Sequence, residues 1–202
     1  MNKELLDKYV SDGWLITQKH PTLPLAIYNY SQKTQYDGHW DEVTLACRGL
    51  IVDSSTGKVI VRPFPKFFNY EEVETQVPWK GSDYVYVQDK MDGSLGILFY
   101  YLEGMEWVLA TRGSFTSSQA IKGMEILKSN YTLDVFEKSI AYLVEIIYPE
   151  NRIVVAYKKE KITFLGASLN RGFAYADGGD DELHWTTAEA FFKISGIPKK
   201  DV

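Results

Sequence analysis

The sequence predicts an α+β fold, a single domain of mainly antiparallel strands with flanking helices. Runs rich in Val, Ile, Tyr and Phe recur along the chain, and tight Gly-containing turns join several of them. Apolar residues take helical spacing in only a few short segments, and no repeat, low-complexity tract or linker divides the chain.

Taken in order, Leu5, Leu6, Tyr9 and Val10 predict a first helix over 3–11, after which the two prolines of "HPTLPLA" push the chain into extended conformation. "VTLACRGLIVD" and "VIVRPF" read as two β-rich runs around the "SSTGK" turn, a hairpin with Arg48 in its first strand. "YVYVQDK", "SLGILFYYL" and "EWVLATRG" add three strands, the last two joined by "EGM". "SSQAIKGMEILKS" opens on serine and spaces Ile121, Met124, Ile126 and Leu127 as a helix does. "AYLVEIIY" and "KITFLGASL" read as strands, and "TTAEAFFKISG" as a threonine-capped helix ended by glycine.

Composition narrows the function. The chain has 202 residues, 45% of them hydrophobic and 14% aromatic, enough for a substantial core. A net charge of -5 gives no global basic field, so a nucleic-acid partner would have to meet a local patch. The one cysteine, Cys47, excludes an internal disulfide or a Cys-rich zinc site and reads as a small core residue. His20, His39 and His184 lack metal-ligand spacing, so no metal-ligating residue is assigned. No apolar run nears the roughly 18 residues of a membrane span, and "MNKELLDKYV" lacks a signal-peptide pattern. A cytoplasmic setting without membrane partner is expected.

The informative stretch is "VQDKMDGSLGILFYY", where Lys90 stands before an Asp-Gly turn that opens a strand. Gly93 lacks a β-carbon, so its backbone is free to adopt positive φ and lie close against a ligand, with the Lys90 amine aimed at whatever the turn holds. That amine is a nucleophile only when neutral, a form that a neighbouring cation or a dry pocket favours. Arg48 and Arg112, each followed by glycine, are candidates for that cationic surrounding. Glu145, inside an apolar strand, needs a partner or a ligand if it is buried.

The ordered blocks "CRGLIVD", "FPKFFNY", "KMDGSL", "TRGSF" and "LVEIIYPENRIVVAY" together resemble the covalent nucleotidyltransferases, and among them the ATP-dependent RNA ligases of the phage RNA ligase 1 type. The resemblance implies a nucleotidyltransferase (ATP-grasp-like) adenylation domain. It uses ATP with Mg²⁺ or Mn²⁺ and acts on RNA ends, a 5′-phosphate and a 3′-hydroxyl. By resemblance Lys90 attacks the α-phosphate of ATP and holds AMP. Arg48 and Lys66 lie near the β- and γ-phosphates, Phe68 beside the nucleotide, Arg112 near the α-phosphate, Glu145 on the ribose, and Tyr30 near the position of a family tyrosine by the nucleotide. A DNA ligase, a capping-type enzyme or a noncatalytic nucleotide- or RNA-binding relative share parts of this pattern. The "FPKFFN" and "EIIYPENRIV" blocks favour the RNA ligases.

Family members carry an E-G strand motif and then a K-x-K strand after the glutamate. Neither is found before Val202, and the family's C-terminal specificity domain is also expected to be absent. Lys159 and Lys161 mimic K-x-K but follow Glu145 too closely, so "YKKEK" reads as a solvated turn, and Lys199 and Lys200 as a frayed tail. The chain is therefore expected to be a single, shortened adenylation domain over 1–202.

Overall fold

A computed structural model describes residues 1–69, 72, 89–170 and 186–187. The first helix, α1 (Lys3–Ser11), forms where its spacing predicts, capped by the Asn2 side chain, which accepts the Leu5 N–H. Strands β1 (Leu15–Lys19) and β2 (Leu25–Tyr30) flank the proline segment, and the short helices α2 (Gln32–Asp37) and α3 (Glu42–Ala46) follow. Then come β3 (Arg48–Asp53), β4 (Val59–Val61), β5 (Ser94–Tyr101), β6 (Glu106–Thr111), α4 (Ser118–Asn130), β7 (Ile140–Ile147), β8 (Lys161–Leu169) and β9 (Thr186–Thr187).

All strand pairings are antiparallel, in one sheet of order β1-β2-β3-β4 and a second of order β6-β5-β7-β8-β9. The α+β expectation holds. The inner faces of the sheets meet through Leu25, Ile27, Ile51 and Val61 on one side and Ile97, Phe99, Ala141 and Leu143 on the other. Behind the first sheet, Leu6 of α1 and Val43 of α3 cover Ala26, Tyr28, Leu50 and Val52. Behind the second, Ile126 and Leu127 of α4 cover Leu98, Leu109, Tyr142 and Val144. The period-two alternation of each strand thus serves two cores at once, giving four layers, helix, sheet, sheet and helix.

Three expectations are corrected. Val43–Ala46 is helical rather than strand, because Asp41 and Thr44 form a reciprocal capping box that overrides the β-preference of Val and Thr. Thr186–Thr187 is a short strand pairing with Gly166 and Ala167, not a helix start. The rest of that expected helix, the 84–88 part of "YVYVQDK", His184, Lys199 and Lys200 lie outside the described residues. In α4, Ile121 is 55% exposed, and Ala120, Gly123, Ile126 and Leu127 form the buried face.

Three irregularities interrupt the alternation of the strands: in the β3–β4 pair Ile60 is left extra between the Ile51–Val61 and Val52–Val59 pairs, and the other two border the candidate site. Tyr28 pairs with Leu50 and Asn29 with Arg48, leaving Gly49 as an extra residue at φ 89°. Leu143 pairs with Gly166 and Val144 with Phe164, leaving Leu165 extra. Each is a β-bulge, which shifts the alternation by one and turns side chains to the other face.

Candidate active site

Where the two sheets separate, a cleft of about 680 Å³ opens. Arg48, beside the Gly49 bulge, and Leu165, the extra residue of β8, line it. By strict alternation Arg48 would share the outer face with Leu50 and Val52, but the Gly49 bulge places it in the cleft, and Leu165 enters from the opposite sheet. Only glycine fits at 49. A β-carbon there would lie 2.9 Å from Ile97 Cδ1 and 3.2 Å from the Arg112 carbonyl oxygen, besides the strain of positive φ.

The cleft brings together Arg48, Lys90, Gly93, Arg112 and Glu145 from the predicted set. Lys90 is exposed, in the turn that leads into β5. Gly93 is needed for a different reason from the one expected. Its φ is not positive, and the close approach is to protein: a β-carbon would sit 2.5 Å from the Ile146 carbonyl oxygen and 3.1 Å from Glu145 Cγ. Its backbone N–H lies near enough to the Glu145 carboxylate to favour the charged form. Glu145 is half-buried on β7, opposite Leu95 on β5 and Thr163 on β8. Burial raises its pKa above the ordinary value, while the Gly93 N–H, Lys90 and Arg48 pull the other way.

On the opposite side, burial lowers the pKa of the Arg48 guanidinium, with nearby Arg112 acting in the same direction and Tyr30 and Glu145 opposing. Its Nη1 is buried without a hydrogen-bond partner among the described residues. A buried cationic donor left open is costly unless a ligand completes it. The Arg112 Nη1 donates to the Tyr30 hydroxyl at 3.4 Å, a long bond. Tyr30 is thus held behind the cleft, its ring edge-on to Trp40, and touches the site through Arg112 and Arg48.

Lys66 and Phe68 are not among the cleft-lining residues. Phe68 packs edge-on against Trp40, and the Lys66 amine sits 4.1 Å from the centre of the Phe68 ring while donating to the Phe67 carbonyl at 2.7 Å. The cleft is lined instead by Phe64 and Phe67, and Phe67 is 61% exposed, with the Arg48 guanidinium 4.7 Å above its ring. None of the three lysines of "YKKEK" lines the cleft. Lys159 lines a separate open depression with Lys122 and Lys158, and Lys161 starts β8 with its amine 5.6 Å from the Tyr157 ring centre. Cys47 is fully buried, and burial pushes its thiol up to about 12, so it serves as a core residue.

Sequence reading passed over a second group. Asp92 Oδ2 accepts the N–H groups of Val154 at 2.7 Å and Val155 at 2.6 Å, and its own N–H donates to the Tyr157 hydroxyl. The Asn151 amide donates to Ser94 Oγ at 2.9 Å and to the Ile146 carbonyl. The signal was present as the "YPENRIVVAY" block, which carried a resemblance but no residue roles. Among the described residues no group of three or more His, Cys, Asp or Glu side chains could hold a metal ion, and no helix is long and apolar enough to cross a membrane.

An amine, two arginines and the carboxylates of Asp89 and Glu145 lining one cleft suit the transfer of a phosphorus-containing group. A family model described as RNA ligase matches residues 46–197. The chain belongs to this RNA ligase family, of the phage RNA ligase 1 type. It is 32% identical over 143 residues to a protein of Thermovibrio ammonificans named as a candidate RNA ligase, covering 67% of this chain and 37% of that protein. It is 28% identical over 180 residues to an RNA ligase of Rhodothermus phage RM378, covering 68% and 40%. A candidate bifunctional polynucleotide kinase/RNA ligase of Autographa californica nuclear polyhedrosis virus is 27% identical over 170 residues, covering 72% and 24%. The matched region therefore spans well under half the length of each of these relatives.

Proposed function

We propose that the cleft binds ATP and that this chain is the adenylation part of an ATP-dependent RNA ligase with a nucleotidyltransferase fold. The observation that carries the reading is the convergence of Lys90, Arg48, Arg112, Gly93 and Glu145, distant in sequence, on one cleft of about 680 Å³.

In this reading the neutral Lys90 amine attacks the α-phosphorus. A P–N bond forms, the bond from the α-phosphorus to the bridging oxygen breaks, pyrophosphate leaves with that electron pair, and the nitrogen sheds its proton to solvent. An oxygen of an RNA 5′-phosphate then displaces Lys90 from the adenylyl phosphorus, and a 3′-hydroxyl attacks the activated 5′-phosphate and expels AMP. Arg48 and Arg112 would meet the charge that develops on the phosphates, and the open Arg48 Nη1 would find its acceptor there. Glu145 would accept a hydrogen bond from the ribose. Asp89 and Glu145 are the carboxylates lining the cleft, so a Mg²⁺ or Mn²⁺ ion arriving with the nucleotide would take its ligands chiefly from phosphate oxygens. When bound, such an ion would supply further neutralisation of the triphosphate.

The test is incubation with ATP labelled at the α-phosphate and a divalent ion, followed by denaturation. Label that survives and maps to the peptide containing Lys90 supports the reading. Binding without covalent label would make the protein a noncatalytic nucleotide-binding relative. For residues 1–202 themselves we expect weak ATP binding, slow adenylation and no sealing, because Lys159 and Lys161 lie off the cleft and add no charge to it. Multiple-turnover joining of a 5′-phosphate to a 3′-hydroxyl by this chain alone would overturn that expectation.

A further inference from the structure

The exposed Lys90 side chain makes no hydrogen bond or ion pair among the described residues, yet the turn that carries it is fixed to a distant loop at several points. Asp92 Oδ2 takes two backbone N–H groups of the 153–155 segment at 2.7 and 2.6 Å, and the Asp92 N–H reaches Tyr157 Oη at 3.3 Å. One residue on, Gly93 packs so closely on β7 that a β-carbon would lie 2.5 Å from the Ile146 carbonyl oxygen. Next, Ser94 is bonded to Asn151, which also holds Ile146. The held segment exposes Ile153, Val154 and Val155 at 65%, 72% and 45%, and Ile153 lines the same cleft as Lys90. An exposed aliphatic loop with no sheet partner gains little from burial, so its geometry rests on these polar ties.

We propose that Asp92 is a positioning residue. Its carboxylate clamps the Ile153–Val155 loop to the lysine turn, fixing one wall of the nucleotide cleft and the direction of the Lys90 amine together. The inference rests on the proposed lysine chemistry for its second half only. The bonds from Val154 and Val155 to Oδ2 hold the Asp92 carboxyl below the ordinary carboxylate range, which makes it a poor base for the lysine proton.

The experiment compares the parent chain with Asp92→Asn and Asp92→Ala, measuring amide hydrogen exchange at Val154 and Val155, ATP affinity, and the rate of covalent labelling at saturating ATP. In the alanine variant we expect exchange at both amides to rise at least tenfold and labelling to slow about a hundredfold, the order expected for a reacting group displaced by about 1 Å, while ATP affinity stays within about threefold. The asparagine variant, whose amide oxygen still accepts, should recover part of both losses. Unchanged exchange in the alanine variant would overturn the clamp. Equal labelling loss in both variants, with normal exchange in the asparagine form, would overturn positioning in favour of a proton-accepting role. Absence of label from the parent would instead refute the lysine reading and the aiming of Lys90, and the exchange arm would still decide the clamp.

Discussion

On the lysine side of the cleft, Asp92, Ser94 and Asn151 spend hydrogen-bonding groups on one another and on backbone. On the arginine side, Arg48 keeps a buried Nη1 open among the described residues, Arg112 makes a long bond to Tyr30, and Phe67 offers an exposed ring. In the proposed reaction the difference would separate two physical tasks. An attacking atom must be held still, which calls for satisfied ties. A surface that is to meet developing negative charge must keep donors free, at a cost to the unliganded protein. If this contrast is right, substitutions on the two sides should fail in different ways.

The largest effect is expected at Lys90. Lys90→Ala should abolish covalent labelling and leave thermal stability within about 0.5 kcal/mol of the parent, since the side chain is exposed and lies in a turn. Label that persists in the variant would move the nucleophile to another residue.

Arg48 should show the opposite balance of stability and rate. Arg48→Met should slow labelling by about 10² to 10³, the range for losing one oriented donor. The unliganded chain should melt no lower than the parent, because a half-buried cation with an open nitrogen is removed. A variant that labels normally but melts several degrees lower would make Arg48 a structural residue and dissolve the contrast.

Much of this site was legible in the sequence, for reasons the structure makes plain. Lys90, Gly93, Arg112 and Glu145 stand at strand ends or within strands, where block order and period two locate them, and all four line the cleft. What stayed hidden was whatever depends on register. Nothing in "CRGLIVD" says that Gly49 is an extra residue in the ladder, yet that bulge turns Arg48 inward. In "KFFN", adjacent phenylalanines point different ways, and no local pattern says which meets the cleft. The α3 helix was recoverable: Asp41 and Thr44 stand three residues apart, a capping signal that outweighed the β-formers after it. The ties of Asp92 span more than 60 residues of sequence, beyond the reach of a local reading.

Glu145 is on the lysine side and lines the cleft, so its loss should be intermediate. Glu145→Gln should weaken ATP binding by about 1.5 to 3 kcal/mol if the carboxylate accepts a ribose hydroxyl. The penalty for 2′- or 3′-deoxy ATP should shrink in the variant, and an unchanged penalty would remove the ribose role. The pH dependence has a definite sign. Because burial raises the folded-state pKa, the folded chain binds more protons than the unfolded chain between the ordinary glutamate value and the raised one. The parent should therefore lose stability relative to Glu145→Gln as pH rises through that window, and melting curves of both proteins across it would show the two diverging.

The smallest expected effect decides which phenylalanine belongs to which side. Phe67 is 61% exposed in the cleft under Arg48, whereas Phe68 is half-buried against Trp40 with the Lys66 amine over its ring. Removing Phe67 takes away a cation–π contact of about 0.5 to 1 kcal/mol that steadies the guanidinium. Phe67→Ala should then slow labelling by about two- to fivefold and leave melting unchanged. Phe68→Ala should lower stability by about 1 kcal/mol, through lost packing on Trp40, with labelling close to the parent's in the fraction that stays folded. The reverse pattern, slow labelling from Phe68→Ala and none from Phe67→Ala, would mean that ligand binding draws Lys66 and Phe68 toward the nucleotide, as the family spacing implies. The arginine side would then be a surface that rearranges around the triphosphate rather than one already set to receive it.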